Sequence, residues 1–187
     1  GGVQWMTAGR GIVHSEMPKH AEGKMNGFQL WVNLPAEKKM CEPRYQEFSP
    51  DQVPYIEVSR GVYVRVIAGH VDETIGPVKG IEAEPVYLDI ELASGTYFSS
   101  SLPINHTAFV YVFQGDAEIS GKVIRPNQLG ILSKGEEIIF KSAGGGRLIL
   151  VAGKPFGEPI ARYGPFVMNT SDEIRRAICD FEQGKRV

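Results

Sequence analysis

The chain has 187 residues, 42% of them hydrophobic, with 20 basic and 22 acidic side chains and a formal net charge of −2. That is enough apolar material for one large domain or two modest ones, and too much for a disordered chain. Scattered charges in near balance leave no basic stripe for phosphates, which argues against direct nucleic-acid binding, and no apolar run approaches the ~20 residues that cross a bilayer.

Taken in chain order, the opening Gly1-Gly2-Val3 lacks a Met and runs straight into apolar residues, so it does not read as a natural start. No cationic segment with an apolar stretch and a small-residue cleavage site follows, and a cytoplasmic address is the default expectation, or a nuclear one if the source is eukaryotic. Strands are predicted over residues 3–7 and 11–17. From 27 to 34 the alternation is plain: Phe28, Leu30, Val32 and Leu34 share one face, and Gln29, Trp31 and Asn33 the other. Three prolines between 42 and 55 mark a connector. Further strands are predicted over 63–68, 86–92, 107–114, 137–141 and 147–152, with Gly and Pro in nearly every gap and Gly144-Gly145-Gly146 read as a flexible hairpin loop. Closing such strands on themselves hides their unpaired edges, which favours a small barrel or a double-sheet jelly roll. The one firm helix starts after Thr170, with Glu173 completing a capping box; Ile174, Ala177, Ile178 and Phe181 form its apolar stripe and Gly184 its exit. Cys41 and Cys179, far apart and unsupported by other cysteines, read as structural thiols of a reducing compartment.

Residues 2–16 align with 128–142 as strand, glycine turn, strand: Gly9 meets Gly135, Val3 meets Leu129, and Ile12-Val13 meets Ile138-Ile139. In the first copy His14 and Glu16 stand two apart on the predicted strand, so both side chains project to one face at a separation that a single metal ion bridges. Two ligands do not close a site, and the pair alone is outweighed by a solvated strand, because metal centres usually take three or four protein ligands. The second copy offers Phe140 and Ser142 at those positions, neither able to hold a metal. Gly9-Arg10-Gly11 has no helix start behind it, which argues against a phosphate loop and leaves a turn that aims His14 inward. Ser99-Ser100-Ser101 has no base at hand, and His106 beside Asn105 reads as a hydrogen-bonded loop residue.

The run Gln4-Trp5-Met6-Thr7-Ala8-Gly9-Arg10-Gly11-Ile12-Val13-His14-Ser15-Glu16-Met17-Pro18 closely resembles the signature of pirins, which are two-barrel proteins of the cupin superfamily. The likeness continues through 27–34 and Glu42-Pro43-Arg44-Tyr45-Gln46-Glu47, and ends over 164–170. It implies an all-β chain of cupin barrels (double-stranded β-helix, or jelly roll), one partial and one complete, with a C-terminal α-helix. Residues 1–47 are then expected to be the C-terminal portion of a first, metal-binding barrel, 48–168 a second barrel without metal ligands, and 169–187 a helix docking on the barrels. The resemblance further implies a non-haem iron, Fe(II) or Fe(III), held by three histidines and one glutamate, of which His14 and Glu16 match the last two. The family's H-x-H pair has no counterpart here, since His20, His70 and His106 do not stand in that spacing, so the chain is expected to be N-terminally truncated with an incomplete site. By family spacing back from Gly115, the second barrel's other ligand positions fall on Ser101, Pro103 and Thr107. Gln29, Trp31 and Met17 are expected to line the cavity beside the metal as substrate-binding residues.

Two functions follow from the resemblance. One is an iron-dependent oxygenase of the quercetin 2,3-dioxygenase type, acting on a flavonol, with Glu16 as ligand and catalytic base. The other is a redox-responsive regulatory protein, a transcriptional coregulator or a regulator of a metabolic enzyme, with a protein partner. The chain by itself is expected to be an inactive fragment whose open sheet edges favour dimerisation or association with the missing N-terminal segment.

Overall fold

Short strands joined by glycine and proline turns run through residues 1–15 and 26–185, the part of the chain that this computed structural model describes. In chain order they are β1 (Val3–Thr7), β2 (Arg44–Phe48), β3 (Tyr55–Ser59), β4 (Val62–Ala68), β5 (His70–Val71), β6 (Thr74–Ile75), β7 (Val86–Leu92), β8 (Thr96–Ser101), β9 (Thr107–Gly115), β10 (Ala117–Ile119), β11 (Lys122–Ile124), β12 (Gln128–Ile131), β13 (Glu137–Ser142), β14 (Gly146–Gly153), β15 (Ala161–Tyr163) and β16 (Phe166–Met168), followed by the helix α1 (Ser171–Glu182). Packing divides the chain into two units, Gly1–Trp5 with Gln46–Pro155 and Met6–Tyr45 with Phe156–Val187. No described helix is long and apolar enough to cross a membrane.

In the first unit the period-2 sequence pattern becomes a two-layer β structure of the expected jelly-roll class. Along β7 the side chains of Val86, Leu88, Ile90 and Leu92 are buried, while those between them are less so. With the inward residues of β4, β9 and β14 they give the antiparallel sheet β12-β9-β14-β7-β4-β3 one continuous apolar face. A second sheet, β11-β10-β13-β8, brings Phe98, Ile138 and Phe140 to the same core. Phe140 is wholly buried, cross-strand from Phe98, with the two rings nearly parallel and 6.3 Å apart. Each such side chain contributes about 1.5–3 kcal/mol by leaving water. Together they offset the entropy lost in ordering the strands.

The predicted strand 86–92 matches β7, and those over 63–68, 107–114, 137–141 and 147–152 lengthen by a residue or two into β4, β9, β13 and β14. Two readings are corrected. The connector over 42–55 contains β2 and a 3₁₀ turn, Pro50–Gln52, whose entry Ser49 and Gln52 cap. The Gly144-Gly145-Gly146 stretch is not a hairpin loop, because β13 and β14 belong to different sheets and the chain crosses between them there. A Cβ at Gly146 would lie 2.3 Å from the Asp116 carbonyl oxygen, so close backbone approach explains that glycine.

The second unit is built differently. Residues 27–34, for all their alternation, form no strand, and neither do residues 11–15. Among the described residues neither segment has a neighbouring strand with which to complete a hydrogen-bonded ladder, and this corrects the strands predicted there. β15 and β16 pair as a hairpin on which α1 packs, with Phe181 edge-on to Phe166 at 6.1 Å. The helix begins as the sequence predicts. Glu173 N–H donates to Thr170 Oγ1 at 3.2 Å, Thr170 N–H donates to the Glu173 carboxylate at 2.8 Å, and Ile174 is buried.

Candidate metal and substrate site

β1 ends at Thr7 and runs into a tight turn. Gly9 sits at φ 53°, and a Cβ there would lie 2.1 Å from the carbonyl oxygen of Cys41, so only glycine fits. Gly11 N–H closes the turn on the Ala8 carbonyl at 2.9 Å. Arg10 pins it: its N–H donates to the Cys41 carbonyl at 2.9 Å and its guanidinium pairs with the Glu42 carboxylate. The G-x-G is therefore a turn. Three residues on, His14 is exposed, next to Val13 at 89% exposure. Glu16 and Met17 lie outside the described residues, as does His20.

Gln29 and Trp31 are also exposed, Trp31 at 56%. The Arg162 guanidinium lies over the indole of Trp31, 5.0 Å from the ring centroid, a cation–π contact that no pattern in the sequence marks. Among the described residues no group of three or more His, Cys, Asp or Glu could hold a metal ion. Of the expected donor pair only His14 is described, so these residues do not by themselves fit a metal, which needs three or four donors.

The corresponding positions of the first unit are filled otherwise. Phe140 occupies the core, Ser142 is buried and donates its hydroxyl to Asp116 Oδ1 at 3.2 Å, and Ser101, Pro103 and Thr107 are exposed. His106 donates its backbone N–H to the Pro103 carbonyl at 2.9 Å, but its Nδ1 is buried and has no hydrogen-bond partner among the described residues. Burial lowers its pKa, which favours the neutral ring. The expectation of a hydrogen-bonded loop residue therefore holds for its backbone alone. A cleft of about 410 Å³ opens beside Glu91, Ser94, Gln114 and Arg147. Its charges are spoken for: Arg147 donates to both Asp89 oxygens at 3.1 and 2.7 Å, and Glu91 accepts from the Tyr55 hydroxyl at 3.2 Å. None of the expected site residues lines it.

The polar centre that sequence reasoning missed lies in the second unit. Lys39 is only 6% exposed, and its ammonium donates to Asn33 Oδ1. Burial lowers its pKa, partly offset by the carboxylates of Glu158 and Glu173. Glu158 Oε2 accepts from Ala36 N–H at 2.7 Å and from Asn169 Nδ2 at 3.1 Å, tying 33–39 to the segment before α1. Nothing local distinguishes Lys39 from the neighbouring Lys38, so only the three-dimensional arrangement reveals it.

Comparison with known proteins agrees with this architecture. The family model for the pirin C-terminal cupin domain matches residues 87–187, and that for pirin matches residues 1–32. A Pseudomonas aeruginosa protein provisionally named quercetin 2,3-dioxygenase is 45% identical over 98% of this chain and 67% of its own length. The protein named pirin of Homo sapiens is 39% identical over 99% of this chain and 65% of its own. The crystal structure of a quercetin 2,3-dioxygenase from Acinetobacter baumannii superposes with a TM-score of 0.78 at 34% identity, covering 83% of this chain and 55% of that one. The chain thus spans about two thirds of the length of the curated relatives it matches. With its cupin fold, its opening run and its C-terminal region all matching, the chain belongs to the pirin family.

Proposed function

We propose that the full-length protein is a metal-dependent oxygenase of the quercetin 2,3-dioxygenase type, in which His14 and Glu16 are two of the metal ligands. The observation that carries this reading is the 45% identity, over nearly the whole chain, to the Pseudomonas protein of that provisional name. The remaining donors would come from residues outside the chain. Iron is the metal we infer, because imidazole nitrogen with carboxylate oxygen is a donor set that suits non-haem Fe(II). When bound, it supplies a redox-active Lewis acid. The Glu16 carboxylate takes the proton of the flavonol hydroxyl as general base. Trp31, backed by Arg162, offers a flat aromatic surface to the planar substrate, and the Gln29 amide offers a donor and an acceptor. A cytoplasmic location goes with this reading.

Iron-loaded full-length protein is expected to consume O₂ with quercetin, and His14→Ala and Glu16→Gln each to weaken iron binding at least tenfold, about 1.4 kcal/mol, by metal analysis. No O₂ uptake by protein shown to carry iron would end the proposal.

A second reading is regulatory binding, in which the oxidation state of the iron sets the affinity for a protein partner. It is favoured by the 39% identity to human pirin and by the exposed Val13, Phe28, Trp31 and Met40 of the second unit. The same side chains support dimerisation of this chain, or its association with a further segment that covers them. Equal partner affinity of the Fe(II) and Fe(III) forms excludes the first idea, and a monomer at all concentrations excludes dimerisation.

A further inference from the structure

On the face of the six-stranded sheet turned away from its core, Arg147 of β14 stands between Glu91 of β7 and Gln114 of β9, its direct cross-strand partners. Gln114 and Val112 oppose Arg147 and Leu148, so Phe113 is an extra residue in β9, a bulge of the kind that re-aims the side chains beside it. The Arg147 guanidinium lies over the Phe113 ring, 5.4 Å from its centroid. Glu91, Gln114, Arg147 and Ser94 supply the polar side chains of the cleft of about 410 Å³, a volume in the range of small-molecule sites. Much of the remaining lining is glycine backbone. A Cβ at Gly115 would lie 2.0 Å from the Gly145 carbonyl oxygen, and one at Gly145 would lie 3.2 Å from that of Leu92, so these segments meet with no side chain between them.

All the polar side chains but Gln114 are held from behind. Arg147 donates its Nε proton and one Nη2 proton to Asp89, itself only 16% exposed, at 3.1 and 2.7 Å. Tyr55, stacked on Tyr63 at 5.7 Å, donates its hydroxyl to Glu91 Oε2 at 3.2 Å, and Ser94 donates to the Ala143 carbonyl at 2.6 Å. Among the described residues the Nη1 edge of Arg147, the Oε1 oxygen of Glu91 and the Gln114 amide have no hydrogen-bond partner. Donors and acceptors therefore lie side by side, with their directions set by the groups behind them.

We propose that this cleft binds a neutral polyol with vicinal hydroxyl groups, the chemistry of a sugar or a cyclitol. Asp89 already neutralises Arg147 and Glu91 adds a further negative charge, so an anion finds no unpaired cation there. A hydroxyl can donate to Glu91 while it or its neighbour accepts from the Arg147 edge or the Gln114 amide. Bonds to charged groups are the stronger ones, and side chains that are already fixed lose little freedom on binding. None of these residues belongs to the metal or substrate set of the oxygenase reading, and the site is independent of it.

The test is a titration of isotope-labelled protein with D-glucose, D-mannose and myo-inositol, followed by amide chemical shifts, with catechol and inorganic phosphate as counter-probes. At least one of the polyols is expected to move the resonances of residues 91–94, 114–115 and 144–147 saturably, with a Kd on the order of 1 mM. Gln114→Ala and Glu91→Gln, both at exposed positions, should each weaken that binding roughly tenfold. Arg147→Lys keeps the charge, loses the planar fork and should weaken it as well. The two tryptophans are the folding controls: in a Trp31→Phe background Trp5 reports the first unit, and in a Trp5→Phe background Trp31 reports the second. Urea unfolding of Gln114→Ala should be unchanged in both backgrounds, which places the lost binding in the cleft rather than in the fold. Should Arg147→Lys unfold early, the two exposed variants carry the test. No saturable shift with any of the polyols, equal affinity in the wild type and both exposed variants, or a response to catechol or phosphate alone overturns the site.

Discussion

Residues 86–92 and residues 27–34 alternate apolar and polar side chains equally well, and they end up in different states. The first stretch lies between β4 and β14, hydrogen-bonded along both edges, with four side chains in the core. The second has no neighbouring strand among the described residues, and its Phe28 and Trp31 remain exposed. Alternation specifies which side chains share a face, and only a partner ladder turns that face into a sheet. In the first unit order comes from backbone pairing over a common apolar core. In the second, outside the β15–β16 hairpin, it comes from individual devices: a glycine turn, a buried lysine, a stacked arginine and a helix cap.

The contrast is open to direct attack. Phe140→Ala removes the largest wholly buried side chain of the first unit and should cost about 3–5 kcal/mol, seen as an early loss of Trp5 fluorescence on heating. Trp31 should keep its own transition. A single shared transition in both backgrounds would mean that the units do not unfold separately. Gly9→Ala acts on the other side of the contrast. Its left-handed φ and the 2.1 Å approach of a Cβ to the Cys41 carbonyl predict a loss of about 1–3 kcal/mol, read by Trp31 and not by Trp5.

These expectations also mark what the sequence could reveal. Alternating runs rich in Val, Ile and Leu announced β4, β7 and β9, because a strand buried on one face writes its environment into every second residue, whereas β14, buried on both faces over 148–152, stood out as a continuous apolar run. β8 escaped, since its three serines hide the one inward aromatic, Phe98. β10 and β11 escaped because strands of three residues carry too little alternation to stand out, while β12 was read only through its place in the repeat. The capping box of α1 was legible to the residue, being a local motif. Of the candidate site, the glycine turn was legible for the same reason. The polar centre around Lys39 and Glu158 was not, because the two residues are more than a hundred positions apart in sequence and look like ordinary surface charges.

A smaller effect is expected at that cap. Thr170→Ala removes the hydroxyl that accepts the Glu173 N–H and should cost about 1 kcal/mol, by urea unfolding followed at Trp31. Thr170→Ser should restore most of it, which separates loss of the hydrogen bond from a change in helix packing.

The least disruptive test is alkaline pH, to which the two units should respond in opposite directions. Tyr87, in the first unit, has its pKa raised above 10.0 by burial and by the nearby Asp89. The folded state therefore holds that proton more tightly than the unfolded chain, and the first unit loses stability as pH rises past 10. Lys39, in the second, has its pKa lowered below 10.5 by burial, with Glu158 and Glu173 opposing the shift. Here the unfolded chain binds the proton more tightly, so the second unit gains stability as pH rises from the lowered value towards 10.5. Urea midpoints read through Trp5 and Trp31 in the paired backgrounds should therefore diverge across this range. Tyr87→Phe should flatten the first slope and Lys39→Met the second. Parallel slopes would show that the buried ammonium does not govern the stability of the second unit, and that the difference between the two regions lies in their backbone pairing alone.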